Sequence, residues 1–182
     1  MEKETLVLEN TVKENVLEVD DNNFPIGEIS RREMREKNVW HRASYIYVKN
    51  SKNELCIHLR SSKKELYPGH WDVCAGGCMN YGLTDEENAT KELAEEYGVQ
   101  GVKLDFVCSV RKEIDISKSY LSIFVCEWDG EIKVQEEEVQ EYKWVTLGQL
   151  REDFLENPEV NMKPEGVEVL EMLIKHYGYL KE

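Results

Sequence analysis

The 182-residue chain carries 37 acidic and 23 basic side chains, which gives it a formal net charge of −14. A chain this acidic lacks the basic surface that non-specific nucleic-acid binding requires, so we expect no nucleic-acid partner. Hydrophobic residues make up 41% of it, enough for a folded core, and no apolar run approaches the roughly 20 residues of a membrane-spanning helix. We therefore expect no membrane partner.

Residues 1–15 lack a basic segment followed by an apolar one, so we expect no secretion signal. The five cysteines are odd in number and form no dense framework. Reduced thiols in a cytoplasmic protein are the expectation for that pattern.

Residues 1–39 are predicted to form an N-terminal extension. Its two short strands, at 16–19 and 26–29, are joined by a turn in the Asp/Asn cluster 20–23. A short helix begins at Ser30.

Residues 40–182 are predicted to form one mixed α/β domain without internal repeats. A hairpin pattern covers 43–48 and 55–59, and Pro68-Gly69 excludes a helix from the loop 67–73, which leads into a short strand. After a central helix, the patterns predict strands at 102–111, 120–128 and 142–145 and a helix at 147–155. The chain ends in an amphipathic helix with apolar residues at helical spacing: Val167, Leu170, Leu173 and Ile174.

The central helix has clear start and stop signals. Thr84 and Glu87 form the capping-box pattern, in which each side chain pairs with the backbone N–H of the other residue. Gly98 is suited to the left-handed conformation that closes a helix. The helix is therefore predicted to begin after Leu83 and to be closed by Gly98.

Three glutamates share one face of this helix. Glu92 lies three residues before Glu95 and four before Glu96, and each like-charge pair at such spacing costs roughly 0.2–0.5 kcal/mol. Exposure to water would make the repulsion tolerable, and a bound hard cation such as Mg²⁺ would remove it. Helical spacing alone leaves both readings open.

Residues 77–99 resemble the Nudix box, whose pattern is G-xxxxx-E-xxxxxxx-REUxEExGU with U a bulky aliphatic residue. The matching positions are Gly77, Glu92, Leu93, Glu95, Glu96, Gly98 and Val99. The likeness extends over about 40–177, and the leader 19–43 is similar to Nudix proteins related to isopentenyl-diphosphate isomerase. It implies a Nudix fold, a mixed β-sheet sandwiched between helices (α/β/α).

Two positions depart from the box. Leu83 stands where the pattern has its first Glu, and Lys91 stands where it has Arg. In the family those residues form an ion pair that shapes the loop and helix. Because both partners are changed, no buried charge is left alone, and we expect the fold to tolerate the pair.

The resemblance implies an Mg²⁺-dependent hydrolase, with Mn²⁺ as an alternative ion, that cleaves a small-molecule diphosphate. The implied metal ligands are Glu92, Glu95 and Glu96, and the implied catalytic residues are Glu95 and Glu138. Glu138 follows two other glutamates, so its register is open by one residue. The implied substrate-binding residues are Arg60, Lys64, Gly76 and Gly77, although Arg60 and Lys64 also fit a role as surface charges.

Other functions remain open. When the chain is aligned with an isomerase, the position of the catalytic cysteine falls on Gly76. Cys74 and Cys78 lie two residues to either side, which on a strand displaces a side chain by about 6–7 Å. The isomerase's second catalytic residue, a Glu, falls within 117–120, which holds no carboxylate. A non-catalytic ligand-binding module is the other alternative. Structural zinc is disfavoured, because no second close cysteine pair accompanies Cys74 and Cys78.

The sequence does not select a substrate among nucleoside triphosphates, dinucleotides, nucleotide sugars and isoprenoid diphosphates. It also leaves the oligomeric state open, since the N-terminal extension could pair with a second subunit in a homodimer.

Overall fold

The structure, a computed structural model, describes residues 15–180. Residues 1–14, which carry the expectation of no secretion signal, and residues 181–182 lie outside the described part. The N-terminal extension contains a strand pair and a helix, in the order β1 (Asn15–Val19), β2 (Pro25–Ser30) and α1 (Arg31–Lys37). Its turn is closed by Asp20, which accepts hydrogen bonds from the backbone N–H of Asn23 at 3.1 Å and of Phe24 at 2.8 Å.

The rest of the chain has four strands, one helix, three strands and two further helices, in that order. The strands are β3 (Trp40–Lys49), β4 (Leu55–Arg60), β5 (Trp71–Asp72), β6 (Ala75–Cys78), β7 (Asp105–Ile114), β8 (Ser117–Glu127) and β9 (Val139–Val145). The helices are α2 (Asp85–Tyr97), α3 (Leu147–Gln149), which continues as a π-helical segment (Leu150–Leu155), and α4 (Pro164–Tyr177). The helix predicted at 147–155 is therefore present but widens to π geometry after its first turn.

Strand β3 is the centre of the mixed sheet. It pairs in parallel with β8 along its whole length, from Trp40 opposite Lys118 to Lys49 opposite Glu127. On its other edge it pairs antiparallel with β6, and β1 joins it at one position. Strand β4 pairs antiparallel with β5 and β9, while β7 and β8 form a long hairpin.

The hairpin predicted at 43–48 and 55–59 pairs only next to its turn. Lys49 lies opposite Leu55, and beyond that point the two strands diverge. The physical reason lies in the competing partners, because β6 and β8 take up the hydrogen-bonding edges of β3 and β5 and β9 take up those of β4. A sequence pattern identifies strands but does not select between such partners.

Side-chain alternation along β3 separates two cores. Tyr45 and Tyr47 point towards α4, whereas Ile46 and Val48 point towards α2, as the period of two in a strand requires. Helix α2 adds Ala89, Leu93 and Tyr97 to one core, and helix α4 adds Val169, Leu170 and Leu173 to the other. The predicted α/β/α arrangement is confirmed.

The N-terminal extension packs onto the rest of the chain. The backbone N–H of Leu17 donates to the carbonyl of Met79 at 2.9 Å, and Val16, Ile29 and Met34 form a small apolar cluster. The division of the chain at residue 40 stays a prediction. Within the described residues, every helix is too short or too polar to cross a membrane.

Candidate functional site

Helix α2 is fixed at both ends by the residues that the sequence singled out. Thr84 Oγ1 accepts a hydrogen bond from the Glu87 N–H at 3.2 Å, and Glu87 Oε2 accepts from the Thr84 N–H at 2.8 Å. Gly98 adopts φ +66° and donates its N–H to the carbonyl of Ala94. These caps set the register of the helix and therefore the direction of its glutamates.

The three helix glutamates differ in burial. Glu92 and Glu96 are buried against β6, whereas the side chain of Glu95 is 43% exposed. The backbone N–H of Gly76 donates to Glu96 Oε2 at 3.0 Å. An acidic face open to water, the simpler reading of the sequence, does not describe Glu92 or Glu96.

Two glycines of β6 allow close approach of their neighbours, Gly77 to helix α2 and Gly76 to strand β3. A Cβ atom on Gly77 would lie 2.5 Å from Glu92 Oε2, and one on Gly76 would lie 2.1 Å from the carbonyl oxygen of Ser44. Both distances are well inside van der Waals contact, so a side chain at either position would displace a neighbour. Of the two glycines expected to contact substrate, Gly77 thus also makes room for Glu92, while Gly76 makes room for the backbone of β3.

Burial changes the ionisation of the buried glutamates. It raises the pKa of Glu96 to about 7, and it raises the pKa of Glu92 above its usual range. Glu96 Oε1 is buried and accepts no hydrogen bond from any residue between 15 and 180. A buried carboxylate oxygen without a partner is costly unless a cation meets it.

Two lysines lie beside the glutamates. Lys91 Nζ is 2.7 Å from Glu95 Oε2 and 3.6 Å from Glu92 Oε1. Lys64 Nζ is 3.7 Å from Glu96 Oε1 and also pairs with Glu138. Burial lowers the pKa of Lys64, and the charge of Glu96 acts in the opposite direction.

The carboxylates of Glu92, Glu95 and Glu96 are the type of ligand that a hard cation binds, although the three side chains do not converge on one point. Over residues 15–180, no three His, Cys, Asp or Glu side chains are gathered as a formed metal site. Lys91 and Lys64 account for this, because each draws a carboxylate towards its ammonium group. Oxygen donors on one helix face, including the unpartnered Oε1 of Glu96, are the ligand type that Mg²⁺ and Mn²⁺ prefer.

Glu138 reaches the same place from another element. It lies in the turn before β9, where its N–H donates to the Gln135 carbonyl at 2.9 Å and its own carbonyl accepts from Ser61 N–H at 3.0 Å. Glu137 and Glu138 both line the cavity described next. The structure therefore brings the expected loop glutamate to the helix glutamates, with Lys64 between them.

Arg60 and Lys64 also line this cavity, but they differ in their contacts. The Arg60 guanidinium donates to the carbonyls of Leu66 at 2.9 Å and Tyr67 at 3.2 Å, and it lies 3.6 Å from Asp72. Much of its hydrogen-bonding capacity thus holds the loop after β4. Lys64 keeps its ammonium group among carboxylates.

A cavity of about 340 Å³ lies over the glutamate face. Some of its walls were not expected from the sequence. Helix α1 contributes Arg31, Met34 and Arg35, the tip of the β7–β8 hairpin contributes Ile114 and Ile116, and the start of α4 contributes Lys163 and Glu165. The basic residues of α1 are visible in the sequence, but nothing local indicates that they face this cavity.

The two departures from the box have separate local roles. Leu83 is half-buried in the turn before α2, where its N–H donates to the Asn80 carbonyl at 3.2 Å. Lys91 pairs with the helix glutamates rather than with residue 83. The box ion pair is thus replaced by pairs within α2 itself.

Comparison with known proteins gives consistent results. Residues 39–165 match the NUDIX domain family. An uncharacterized Nudix hydrolase of Pseudomonas aeruginosa, PA4841, is 31% identical over 127 residues, which is 70% of this chain and 75% of that protein. The uncharacterized Nudix hydrolase YfcD of Escherichia coli K12 is 31% identical over 70% of this chain and 71% of its own length.

More distant similarities extend the comparison. An isopentenyl-diphosphate Δ-isomerase of Photorhabdus laumondii is 29% identical over 78% of this chain and 82% of that protein. The crystal structure of DR0079 from Deinococcus radiodurans superposes with a TM-score of 0.72 at 22% identity, covering 87% of this chain and 98% of that one. The NUDIX domain of Shewanella oneidensis NrtR, solved with ADP ribose, superposes with a TM-score of 0.59 at 12% identity. The match covers 82% of this chain and 99% of that one. At such identities the two structures support the fold alone.

Proposed function

This chain belongs to the Nudix family and is a pyrophosphohydrolase, and from that premise we propose that it cleaves a small organic diphosphate with the help of Mg²⁺ or Mn²⁺. The observation that carries the proposal is the pair of buried glutamates, Glu92 and Glu96, held against Gly77 and Gly76, with Glu92 in the wall of a cavity and Glu96 behind it. Glu96 Oε1 accepts no hydrogen bond within residues 15–180, and its ion pair with Lys64 is long, at 3.7 Å, so a divalent cation would satisfy this buried oxygen better.

The cavity also supports binding of an anion by this acidic protein. Seven of its lining residues are basic: Arg31, Arg35, Arg60, Lys63, Lys64, Lys91 and Lys163. Six glutamates line the cavity as well: Glu65, Glu92, Glu95, Glu137, Glu138 and Glu165. Cationic groups that outnumber the carboxylates by one, inside a chain with a net charge of −14, give a phosphate-bearing ligand partners at this place once a cation occupies the carboxylates. We infer that Arg60 and Lys64 contact phosphate oxygens.

Glu92, Glu95 and Glu96 would hold the cation. A bound divalent cation would neutralise part of the diphosphate charge and act as a Lewis acid towards its phosphorus–oxygen bonds. Lys91 and Lys64 would give up their present carboxylate partners and become available to phosphate oxygens.

Glu138 and Glu95 are the candidates for proton transfer. In the proposed reaction a water molecule attacks phosphorus, its proton passes to a carboxylate, and the bridging oxygen leaves with one phosphate group. Glu138 lines the cavity opposite the helix and is held there by Lys64. Glu95, the most exposed of the three proposed metal ligands, is the second acceptor within the same cavity.

The direct test is a screen for phosphate and nucleotide products over a panel of diphosphates, with Mg²⁺, with Mn²⁺ and with chelator. ADP-ribose belongs in the panel because the Shewanella oneidensis domain was solved with it. Glu95→Gln and Glu96→Gln should each lower turnover by at least about 100-fold with an unchanged circular dichroism spectrum. Near-normal turnover in both variants would contradict the metal-site assignment.

The likeness to the Photorhabdus laumondii enzyme makes isomerisation the second candidate. The same screen separates the two functions, because an isomerase rearranges an isoprenoid diphosphate without releasing phosphate. A ligand-binding module without catalysis would instead give a thermal shift with no product. We further propose a cytoplasmic location, which suits the five free thiols.

A further inference from the structure

Cys78 is set apart from the other cysteines by its position. It ends strand β6, directly opposite Ala43 of β3, and it is half-buried in the wall of the cavity. Cys56, Cys74 and Cys126 are buried, and Cys108 is half-buried on β7. Cys78 therefore combines access to the cavity with a place beside the glutamate face.

His41 lies next to Cys78. It precedes Ala43 by two residues on β3, so both side chains point to the same face of the sheet. Its Nδ1 faces the carbonyl of Val39 at 3.3 Å, and its imidazole interacts electrostatically with the Cys78 thiol. The imidazole is only 4% exposed and lines the same cavity.

Helix α1 adds positive charge to this pair, since Arg31 and Arg35 line the same part of the cavity. Burial by itself would raise the pKa of Cys78, but the hydrogen bond and charge of His41, with the two arginines, hold it below the usual value. Burial likewise opposes protonation of His41, yet the bond to Cys78 leaves its pKa raised. Both directions favour a thiolate beside an imidazolium.

The fully buried cysteines behave in the opposite way. Burial raises the pKa of Cys56 and of Cys126 to about 12, and it raises the pKa of Cys74 well above its usual value. These thiols are protonated and shielded from solvent, so they are expected to be unreactive.

We propose that Cys78 and His41 form a reactive thiol pair in the cavity wall, and that Cys78 is a site of oxidation by hydroperoxides. The inference stands on the cavity, the shared strand face and the flanking arginines, and it does not depend on the hydrolase reaction. Cys78 follows Gly77, which packs against Glu92. The Cys78 side chain points away from the face of β6 that contacts Glu92, but Cys78, Glu92 and Glu95 line one cavity, so oxidation would change a wall of that cavity.

The oxidation step balances with the groups present. The thiolate sulfur attacks one peroxide oxygen, an S–O bond forms and the O–O bond breaks. Sulfur loses two electrons to the peroxide, and His41 gives its proton to the departing hydroxide, which leaves as water. The products are a sulfenic acid on Cys78 and a neutral His41.

The first experiment compares two cysteines in the unaltered protein. Native protein is treated with iodoacetamide between pH 5.5 and 8.5, and rates are read from tryptic peptides 65–91 and 104–111, which carry Cys78 and Cys108. Because peptide 65–91 also contains Cys74, fragmentation must locate the label. At pH 7 we expect Cys78 to react at least about fivefold faster than Cys108. Equal rates that fall in parallel towards low pH would overturn the proposal.

The second experiment identifies the partner and the oxidation. His41→Asn should slow alkylation of Cys78 at pH 7 about fivefold and leave Cys108 unaffected, whereas Cys108→Ser should leave Cys78 unaffected. After treatment with hydrogen peroxide, dimedone should label Cys78 and not Cys108. Dimedone labelling equal at both cysteines, or none at Cys78, would count against the site. The pH series on unaltered protein needs no variant and stands even if His41→Asn unfolds.

Discussion

At the scale of single residues, the site depends on the absence of a side chain as much as on the carboxylates. Gly77 is the clearest case, because its hydrogen faces the carboxylate of Glu92. The residue is typical of the sequence motif, but only the packing of β6 on α2 explains why a larger one would fail there.

Gly77→Ala should disturb the site without unfolding the protein. The added Cβ would lie 2.5 Å from Glu92 Oε2, so the carboxylate must move. We expect Mn²⁺ affinity and turnover to fall roughly 10- to 100-fold, the range for a displaced support of a metal ligand. Titration with Mn²⁺ measures this. Gly27→Ala is the matched control, because its Cβ would meet nothing within 4 Å and should change neither quantity.

A second prediction concerns the buried ion pair between Lys163 and Asp72. Lys163 Nζ lies 2.7 Å from Asp72 Oδ2, and both side chains are almost fully buried. Lys163→Met removes the nearest cation from the carboxylate and leaves the more distant Arg60, at 3.6 Å, so we expect a loss of about 3–5 kcal/mol in the free energy of unfolding. Chemical denaturation at pH 7 measures this loss. Lys103→Met, at an exposed lysine, is the control and should leave the denaturation midpoint unchanged.

The ion pair of Lys163 and Asp72 also predicts how the stability of the protein depends on pH. Burial alone would raise the pKa of Asp72, but Lys163 and its neighbours hold it below its usual value, and the pKa of Lys163 is raised well above its own. The stabilisation is therefore complete between about pH 4 and pH 10, and it is lost as the pH falls through the folded-state pKa of Asp72. The stability gap between wild type and Lys163→Met should narrow below about pH 4. A constant gap down to pH 2 would contradict the role of Asp72.

At the scale of secondary structure, the end signals of α2 decide where its glutamates point. The capping box at Thr84 and the left-handed Gly98 fix a helix whose repulsive face is turned against β6. Local hydrogen bonds are sufficient to set both ends, which is why the sequence predicted them correctly.

Thr84→Ala should lower the free energy of unfolding by about 1 kcal/mol, because the Glu87 N–H loses its acceptor and the Glu87 carboxylate loses the hydroxyl donor. Urea denaturation measures the change. Thr84→Ser keeps the hydroxyl and should retain most of the free energy of unfolding that Thr84→Ala loses. A full loss in the serine variant would show that the methyl group, rather than the cap, is responsible.

At the scale of the whole molecule, the cavity is closed by elements far apart in the chain. Helix α1 and the tip of the β7–β8 hairpin meet over it, and Asn38 at the end of α1 donates its side-chain amide to the carbonyl of Asp115 at 3.1 Å. The N-terminal extension thus contributes a wall of the candidate site.

Asn38→Gly should loosen this contact selectively. Glycine accepts the left-handed φ of +46° at the end of α1, but it removes the bond to Asp115. We expect faster amide exchange at 114–117 and a KM raised about fivefold, equivalent to one hydrogen bond of ~1 kcal/mol, with little change in Tm. Asn53→Gly, at a left-handed asparagine in the β3–β4 turn, is the control and should leave KM unchanged.

The sequence by itself determined the features that rest on local chemistry. These are the strands and turn of the extension, the caps of α2, the shared face of Glu92, Glu95 and Glu96, and the family to which they belong. Each depends on backbone hydrogen bonds or side-chain spacing within a few residues, and such patterns are readable in order along the chain.

Only the tertiary structure decided which distant elements meet. It gave β3 the parallel partner β8, ended the β3–β4 hairpin at its turn, buried two of the three glutamates, and placed His41 beside Cys78 under α1. Such contacts join residues tens of positions apart and are chosen by competition among strand edges and by burial of whole faces. The chemistry of the glutamates could therefore be predicted from the sequence, whereas the walls of their cavity could not.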